Sequence, residues 1–416
     1  MRILVYPHEM SIGGSQINAI DLASQVAKAG HEVIVYAEDG PLVSYIAERG
    51  LRYIAAVPAQ YRPRPARVRQ LARLATEERL DLIHAYEWPG CLDAYFGATL
   101  LKRVPVLCTV LSMNVSPFVP ASVPLVMGTE VLADEALAAH SAPVWTLEPP
   151  IDTDRDTPDI DGSNFRRQHG VGPDELLVVT VSRLALDLKL DALVRAIDAV
   201  ASLAERYPLR LILVGDGAAR EALEARAEAV NRRLGRCVVS LPGAELDPRS
   251  AYASADIVLG MGSSVIRAMA IGRPVIVQGE QAFSKILDDT TLELFLRQGF
   301  YGKAGAEQGV QVLAGQIESL VTDTVRRQTL GLFGRNVAVQ RLSLQRAGKL
   351  QLSIYEEVLA GAAKWRLSEA ALVGWRALAQ ELLYHDPRWK RDNSRQEAKL
   401  LAAARHGTWP LEVGGV

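Results

Sequence analysis

The chain has 416 residues, 49% hydrophobic and 23% charged, with a formal net charge of −2, which is length enough for two globular domains with complete cores. So near a balance of charge excludes a global field that would draw in nucleic acid or an acidic membrane. Three cysteines, Cys91, Cys108 and Cys237, lie in apolar runs without metal-ligand spacing and read as reduced core residues.

The opening Met-Arg-Ile-Leu-Val-Tyr enters a strand pattern with no basic-then-apolar leader, and no uncharged apolar stretch approaches membrane-spanning length, so a cytoplasmic location is expected. Candidate strands at 3–6, 32–36, 53–56, 82–84 and 106–110 alternate with helical patterns at 16–29, 42–49, 66–78 and 92–101. Such alternation means βαβ units and a parallel sheet. Ile12-Gly13-Gly14-Ser15-Gln16 falls between the first strand and the first helix, where two glycines let backbone approach a ligand at a helix N-terminus. A dinucleotide fingerprint would sit in the same place, and Glu38 and Asp39 stand near the end of strand two. The Gly-x-Gly-x-x-Gly order is missing, however, so a nicotinamide dehydrogenase is not expected.

Ligands of open α/β sheets bind beyond the carboxyl ends of strands. There this half presents Tyr6, His8 and Glu9, then His84, Tyr86 and Glu87, then Ser112 and Asn114, as acceptor-side candidates. For His84 the alternative is a hydrogen-bonded structural histidine, and His8 has the stronger case for touching a ligand. The run Arg62, Arg64, Arg67, Arg69 and Arg73 is balanced by Glu77, Glu78 and Asp81 and reads as a solvated face, so peripheral membrane contact through 62–73 is not expected.

Prolines and acidic residues break every period between 144 and 158, which marks an interdomain linker, and Asp152-Thr153-Asp154 reads as part of it and not as a metal-binding pair. A second alternation follows, with strands at 176–181, 209–214, 237–241, 257–259 and 274–277. Three turns stand out: Ser182-Arg183-Leu184 leading to Lys189, Val214-Gly215-Asp216-Gly217, and Gly260-Met-Gly262-Ser263-Ser264. A helix opening at Ser263 aims unpaired N–H groups at whatever lies beyond the strand, a geometry that suits phosphate. From about 309 the pattern is helical, with Trp365, Trp375 and Trp389 spaced through it, and the stretch after 387 reads as a surface extension. The expected domains are 1–147, a linker at 148–158, a second domain at 159–350, and helices at 351–416 that cross back to the first domain.

Ala268-Met-Ala-Ile-Gly-Arg-Pro-Val275 after its glycine turn resembles the donor-binding segment of retaining family 4 glycosyltransferases. The Arg183 turn is similar to that family's Gly-Arg-Leu-x-x-x-Lys-Gly segment, with Lys189 one position late, about 100° of helix rotation. The Val-Gly-Asp-Gly turn and the Gly13-Gly14 loop also correspond. The resemblance implies a GT-B fold, two Rossmann-like domains with parallel sheets facing a central cleft. It further implies metal-independent, retaining transfer from a nucleotide-sugar co-substrate, with no other cofactor, to a small-molecule or glycan acceptor. Arg183, Lys189 and His8 would serve catalysis. The donor would be held by Gly13, Gly14, Arg183, Lys189, Gly215, Gly262, Ser263, Ser264 and Arg267, and the acceptor side would be His8, Glu9, His84, Tyr86, Glu87 and Asn114.

Three positions depart from the family pattern. Leu259 and Arg267 replace its two glutamates, and Leu111 replaces its histidine. One explanation has Arg267 pairing with a phosphate or with a carboxylate on the donor sugar. Two rival functions stay open: a nucleotide-sugar epimerase using Glu9, Glu87 and Glu280, and a non-catalytic sugar-nucleotide or glycan binder.

Overall fold

A computed structural model describes residues 1–59, 61–303, 309–361, 366–385 and 387–406. The chain divides into two units, Met1–Asp152 with Leu342–Lys390, and Thr153–Arg341 with the chain from Arg391.

Unit one is built on seven parallel strands: β1 (Arg2–Tyr6), β2 (Glu32–Ala37), β3 (Arg52–Ala55), β4 (Leu82–Tyr86), β5 (Val106–Val110), β6 (Leu125–Met127) and β7 (Val144–Thr146), ordered β3-β2-β1-β4-β5-β6-β7. The central strands are largely apolar because both faces are covered. Leu4, Tyr6, Ile34 and Tyr36 pack on one side, and Ile3, Val5, Val33 and Val35 on the other.

Unit two has six strands, β8 (Leu176–Val181), β9 (Leu209–Val214), β10 (Val239–Gly243), β11 (Ile257–Gly260), β12 (Val275–Gln278) and β13 (Ser284–Ile286). Their order is β10-β9-β8-β11-β12-β13, all parallel except β13. Both orders reverse beside the first strand of the sheet, between β1 and β4 and between β8 and β11.

Several expectations need correction. Val144–Thr146, expected in the linker, is an edge strand paired with β6, and a strand this short leaves no legible period. Cys237 is exposed, while Cys91 and Cys108 are buried. Helix Leu344–Ala360 packs on helix Gly14–Lys28, close enough that a Cβ on Gly348 would lie 2.6 Å from Gln25 Cβ, so unit one resumes at Leu342 and not at 351. The stretch after 387 is not an extension: helix Pro387–His406 seats Leu400, Leu401 and Ala404 on the unit-two core, and Arg226 donates to the Ala404 carbonyl at 3.0 Å. Trp365 and residues 407–416 lie outside the described residues. No described helix is long and apolar enough to cross a membrane.

Candidate functional site

In unit two the turns after β9, β8 and β11 lie side by side at the carboxyl ends of neighbouring strands, flanking the reversal of strand order. Arg183 is exposed in the turn after β8, and Lys189 is half-buried at the cap of helix Leu190–Leu203. Leu188 adopts a left-handed φ of 61°, which turns the chain into the helix at that point. The rotation penalty for a late lysine applies inside a helix, and Lys189 stands before the first turn. Burial, and after it the Arg183 guanidinium, push the Lys189 ammonium down to about 8. Among the described residues neither cation has a carboxylate partner. Two cations held within repulsion of each other gain most from an anionic ligand.

Helix Ser263–Ala270 follows Gly262, whose φ of 62° and ψ of −133° only glycine adopts cheaply. The Val265 and Ile266 N–H groups turn back to the Gly262 carbonyl at 3.0 and 3.4 Å, whereas those of Ser263 and Ser264 have no backbone acceptor among the described residues. Met261 in the same turn packs with Ala192 of the Lys189 helix and with Tyr301. The glycines of the β9 turn serve packing. With φ of 151° and 152°, Gly215 and Gly217 lie so near the Arg183 turn that a Cβ would come within 1.8 Å of the Ser182 carbonyl oxygen and 2.5 Å of that of Leu184. Leu184 in turn donates its N–H to the Asp216 carbonyl at 2.8 Å. These contacts fix the backbone that carries Arg183.

Leu259 is wholly inside the unit-two core. Arg267 does not stand open for a donor anion: its Nε lies 3.4 Å from a carboxylate oxygen of Asp156, a buried acid whose charge needs a cation beside it. Glu280 accepts from the Tyr301 hydroxyl and pairs with Lys303 at 3.0 Å. Buried Arg195 donates to Asp191 at 2.8 Å and to the carbonyls of Gly279 and Phe283 at 3.3 and 3.1 Å, while Asp191 accepts the Ala282 N–H at 3.1 Å. This clamp fastens the turn holding left-handed Gln281 and Ala282 to the helix that Lys189 caps.

In unit one His8 follows β1 and Glu87 follows β4, either side of the reversal. The His8 ring nitrogen Nε2 lies 3.3 Å from Gln16 Nε2 and 3.6 Å from Glu9 Oε1, and Glu9 also accepts from Ser11 at 2.7 Å and Gln16 at 3.0 Å. Burial lowers the His8 pKa, aided by Arg64 and Arg62 and opposed by Glu9 and Glu87, so the ring is neutral at pH 7 and offers a lone pair. Glu87 holds the loop after β5 through the N–H groups of Leu111 and Ser112, at 2.9 and 3.1 Å, and the Ser112 hydroxyl at 2.8 Å. Exposed Asn114 accepts from that hydroxyl through its carbonyl at 3.2 Å. Gly13 caps helix Gly14–Lys28 in extended backbone, φ −157°, so its value lies in lacking a side chain beside Gln16.

His84 and Tyr86 are corrected from acceptor-side to core residues, each 1% exposed. The His84 ring nitrogens meet the Tyr355 and Thr109 hydroxyls, both at 2.7 Å, and burial pushes its pKa down to about 3. The arginine run is likewise not a solvated face. Arg64 and Arg67 are buried: Arg64 donates to Asp93 at 2.7 Å, and Arg67 donates to the Tyr6 hydroxyl at 3.1 Å, to the Val57 carbonyl at 3.0 Å, and pairs with Glu38. Arg62 lies 5.1 Å over the Trp88 ring and pairs with Glu381, leaving Arg69 and Arg73 exposed.

Residues 12–118 match the model of Glycosyltransferase Family 4, and residues 175–323 that of Glycosyl transferases group 1. The chain is 24% identical over 325 residues to an uncharacterized glycosyltransferase of Methanocaldococcus jannaschii, covering 68% of this chain and 80% of that protein. A glycosyltransferase structure from Rickettsia africae superposes with a TM-score of 0.71 at 15% identity, over 86% of this chain and 98% of its own. Anabaena HepE in complex with UDP-glucose superposes with a TM-score of 0.69 at 19% identity, over 86% and 100%.

Proposed function

We propose that this chain, a glycosyltransferase of GT-B fold with a Family 4 domain and a group 1 domain, moves a sugar from a nucleoside-diphosphate donor to an acceptor hydroxyl with retention at the anomeric carbon. The observation that carries this reading is the pair Arg183 and Lys189, two neighbouring cations without a carboxylate partner among the described residues at the strand-order reversal, beside the N–H groups without a backbone acceptor that open helix Ser263–Ala270. A diphosphate answers all three. As the bond from the anomeric carbon to the phosphate oxygen breaks, negative charge grows on that oxygen, and preorganised cations and N–H dipoles stabilise it without a metal. The new bond forms from the acceptor oxygen, whose proton ends on the leaving phosphate. His8, neutral and half-buried among Glu9 and Gln16, orients that hydroxyl. Anabaena HepE is known in complex with UDP and with UDP-glucose, which makes a UDP-sugar the first donor to try.

The test is a thermal-shift panel of nucleotide sugars followed by an assay for nucleoside diphosphate release. A donor present at about a hundred times its Kd adds about 2.7 kcal/mol of stability. Stabilisation by none of the panel, or equally by NAD, overturns the proposal. Turnover of a donor with no acceptor present would identify the epimerase instead.

A further inference from the structure

Helix Leu367–Tyr384 of unit one turns its small residues inward and its large ones out. Ala370, Val373 and Ala377 are buried, and Gly374 packs so near the Phe96 ring that a Cβ there would lie 3.2 Å away. On the opposite side Leu367 is 72% exposed, Leu372 48%, Trp375 66%, Leu378 44%, Leu382 66% and Leu383 56%. At 100° per residue these six fill an arc of about 160°, wider than the stripe of about 100° by which a helix faces a core. Both carboxylates of the helix are engaged: Glu369 accepts from Ser122 and Tyr95, and Glu381 pairs with Arg62. The exposed apolar surface amounts to roughly 600 to 700 Å², at or above the largest patch of a typical monomer and near the 800 Å² or so that each partner gives to a standard interface.

We propose that this face is the interface of a homodimer, in which a second copy of the chain lays the same stripe against it. Three features favour a second copy. The area per copy fits a symmetric contact. Trp375 stands at the middle of the helix, so a two-fold axis beside it sets the Leu367 end of one copy on the Leu382 and Leu383 end of the other. The arc is bordered by Arg376 and Glu369 on one edge and Glu381 on the other, a rim of mixed charge suited to protein, whereas a helix lying in lipid lines its polar face with lysine and arginine.

Sedimentation velocity on the full chain from about 1 to 100 μM tests this. The expected result is a wild-type dimer and a Trp375→Glu, Leu382→Glu double variant whose dissociation constant rises on the order of a hundredfold, with the circular dichroism spectrum of the folded chain unchanged. In case that variant fails to fold, Trp375→Cys in a Cys237→Ser background, treated with a short bismaleimide, should give a cross-linked dimer absent from Cys237→Ser alone. A wild-type monomer at the highest concentration, a double variant that dimerises as well as wild type, or no cross-link at position 375 overturns the proposal. A monomer that pellets with anionic phosphatidylserine vesicles through this helix would assign the face to lipid instead.

Discussion

Raising the pH from 7 to 9.5 should weaken nucleoside-diphosphate binding by about thirtyfold. Lys189 sits at about 8 in the free protein, so it is charged at neutral pH, and about 3% remains charged one and a half units above that value. Phosphate itself is fully ionised above about pH 7, with a second pKa near 6, so the ligand adds no slope there. Binding should therefore be flat below pH 8 and weaken by up to tenfold per unit above it. Titration calorimetry with UDP in buffers of different ionisation heat reads both the affinity and the proton taken up on binding, which should approach one per site near pH 9. Lys189→Met removes a charge-assisted contact worth about 1.5 to 3 kcal/mol, a loss of about ten- to a hundredfold at pH 7, and should abolish the pH slope. Free-state stability runs the other way. A lysine whose folded pKa lies below its unfolded one destabilises the fold most when both are protonated, so this penalty is full below about pH 8 and is relieved as the pH climbs toward 10.5. Lys189→Met should accordingly be more stable than wild type at pH 7 in the absence of ligand, by on the order of 1 to 3 kcal/mol. Affinity independent of pH in wild type, or an unchanged slope in Lys189→Met, would refute the placement of the diphosphate on this lysine.

Three other outcomes are expected. Gly215→Ala must displace the Ser182 carbonyl, 1.8 Å from the new Cβ, and should cost at least tenfold in donor affinity by shifting the Arg183 turn; Gly235→Ala, also at a positive φ but with open space around it, should lose stability alone when both are compared by calorimetry and thermal unfolding. His84 has a folded pKa near 3 against 6.5 in the unfolded chain, so its contribution to stability is present above about pH 6.5 and is lost on acidification at about 1.4 kcal/mol per unit; denaturant titrations from pH 7.5 to 5 should show that slope, and a His84→Gln variant should lack it. Arg64→Ala strands Asp93 in the core and should cost about 3 to 5 kcal/mol, whereas Arg69→Ala on the surface should stay within about 0.5 kcal/mol by the same titrations.

Residue patterns made the two sheets and the turns at their carboxyl ends legible, because parallel strands buried on both faces are written as largely apolar runs and the glycine turns follow them directly. Strands β6, β7 and β13 were missed, since three residues of pairing carry no period. The buried arginines were legible in principle: Arg64, Arg67, Leu71 and Leu74 recur at helical spacing along one face, and Arg64 and Arg67 were set apart from the leucines only because they are charged. What no local pattern contained was pairing at a distance. Arg267 reads as an open cation until Asp156 is beside it, and the clamp of Arg195 needs backbone carbonyls 84 and 88 residues further on. His84 looks like a ligand contact for the same reason.

The His84 ring finds its Tyr355 partner 271 residues later in the chain. At 5 to 20 residues per second the ribosome needs about 15 to 55 s to synthesise that interval. For all of that time the nascent first unit holds an imidazole with one nitrogen unanswered and an open apolar face on helix Gly14–Lys28. Its folding can finish only after helix Leu344–Ala360 has been made. Early strands β1 to β5 are thus exposed to chaperones for longer than any segment of the second sheet, and changes that slow the closing helices should lower the yield of folded protein before they alter anything in the finished molecule.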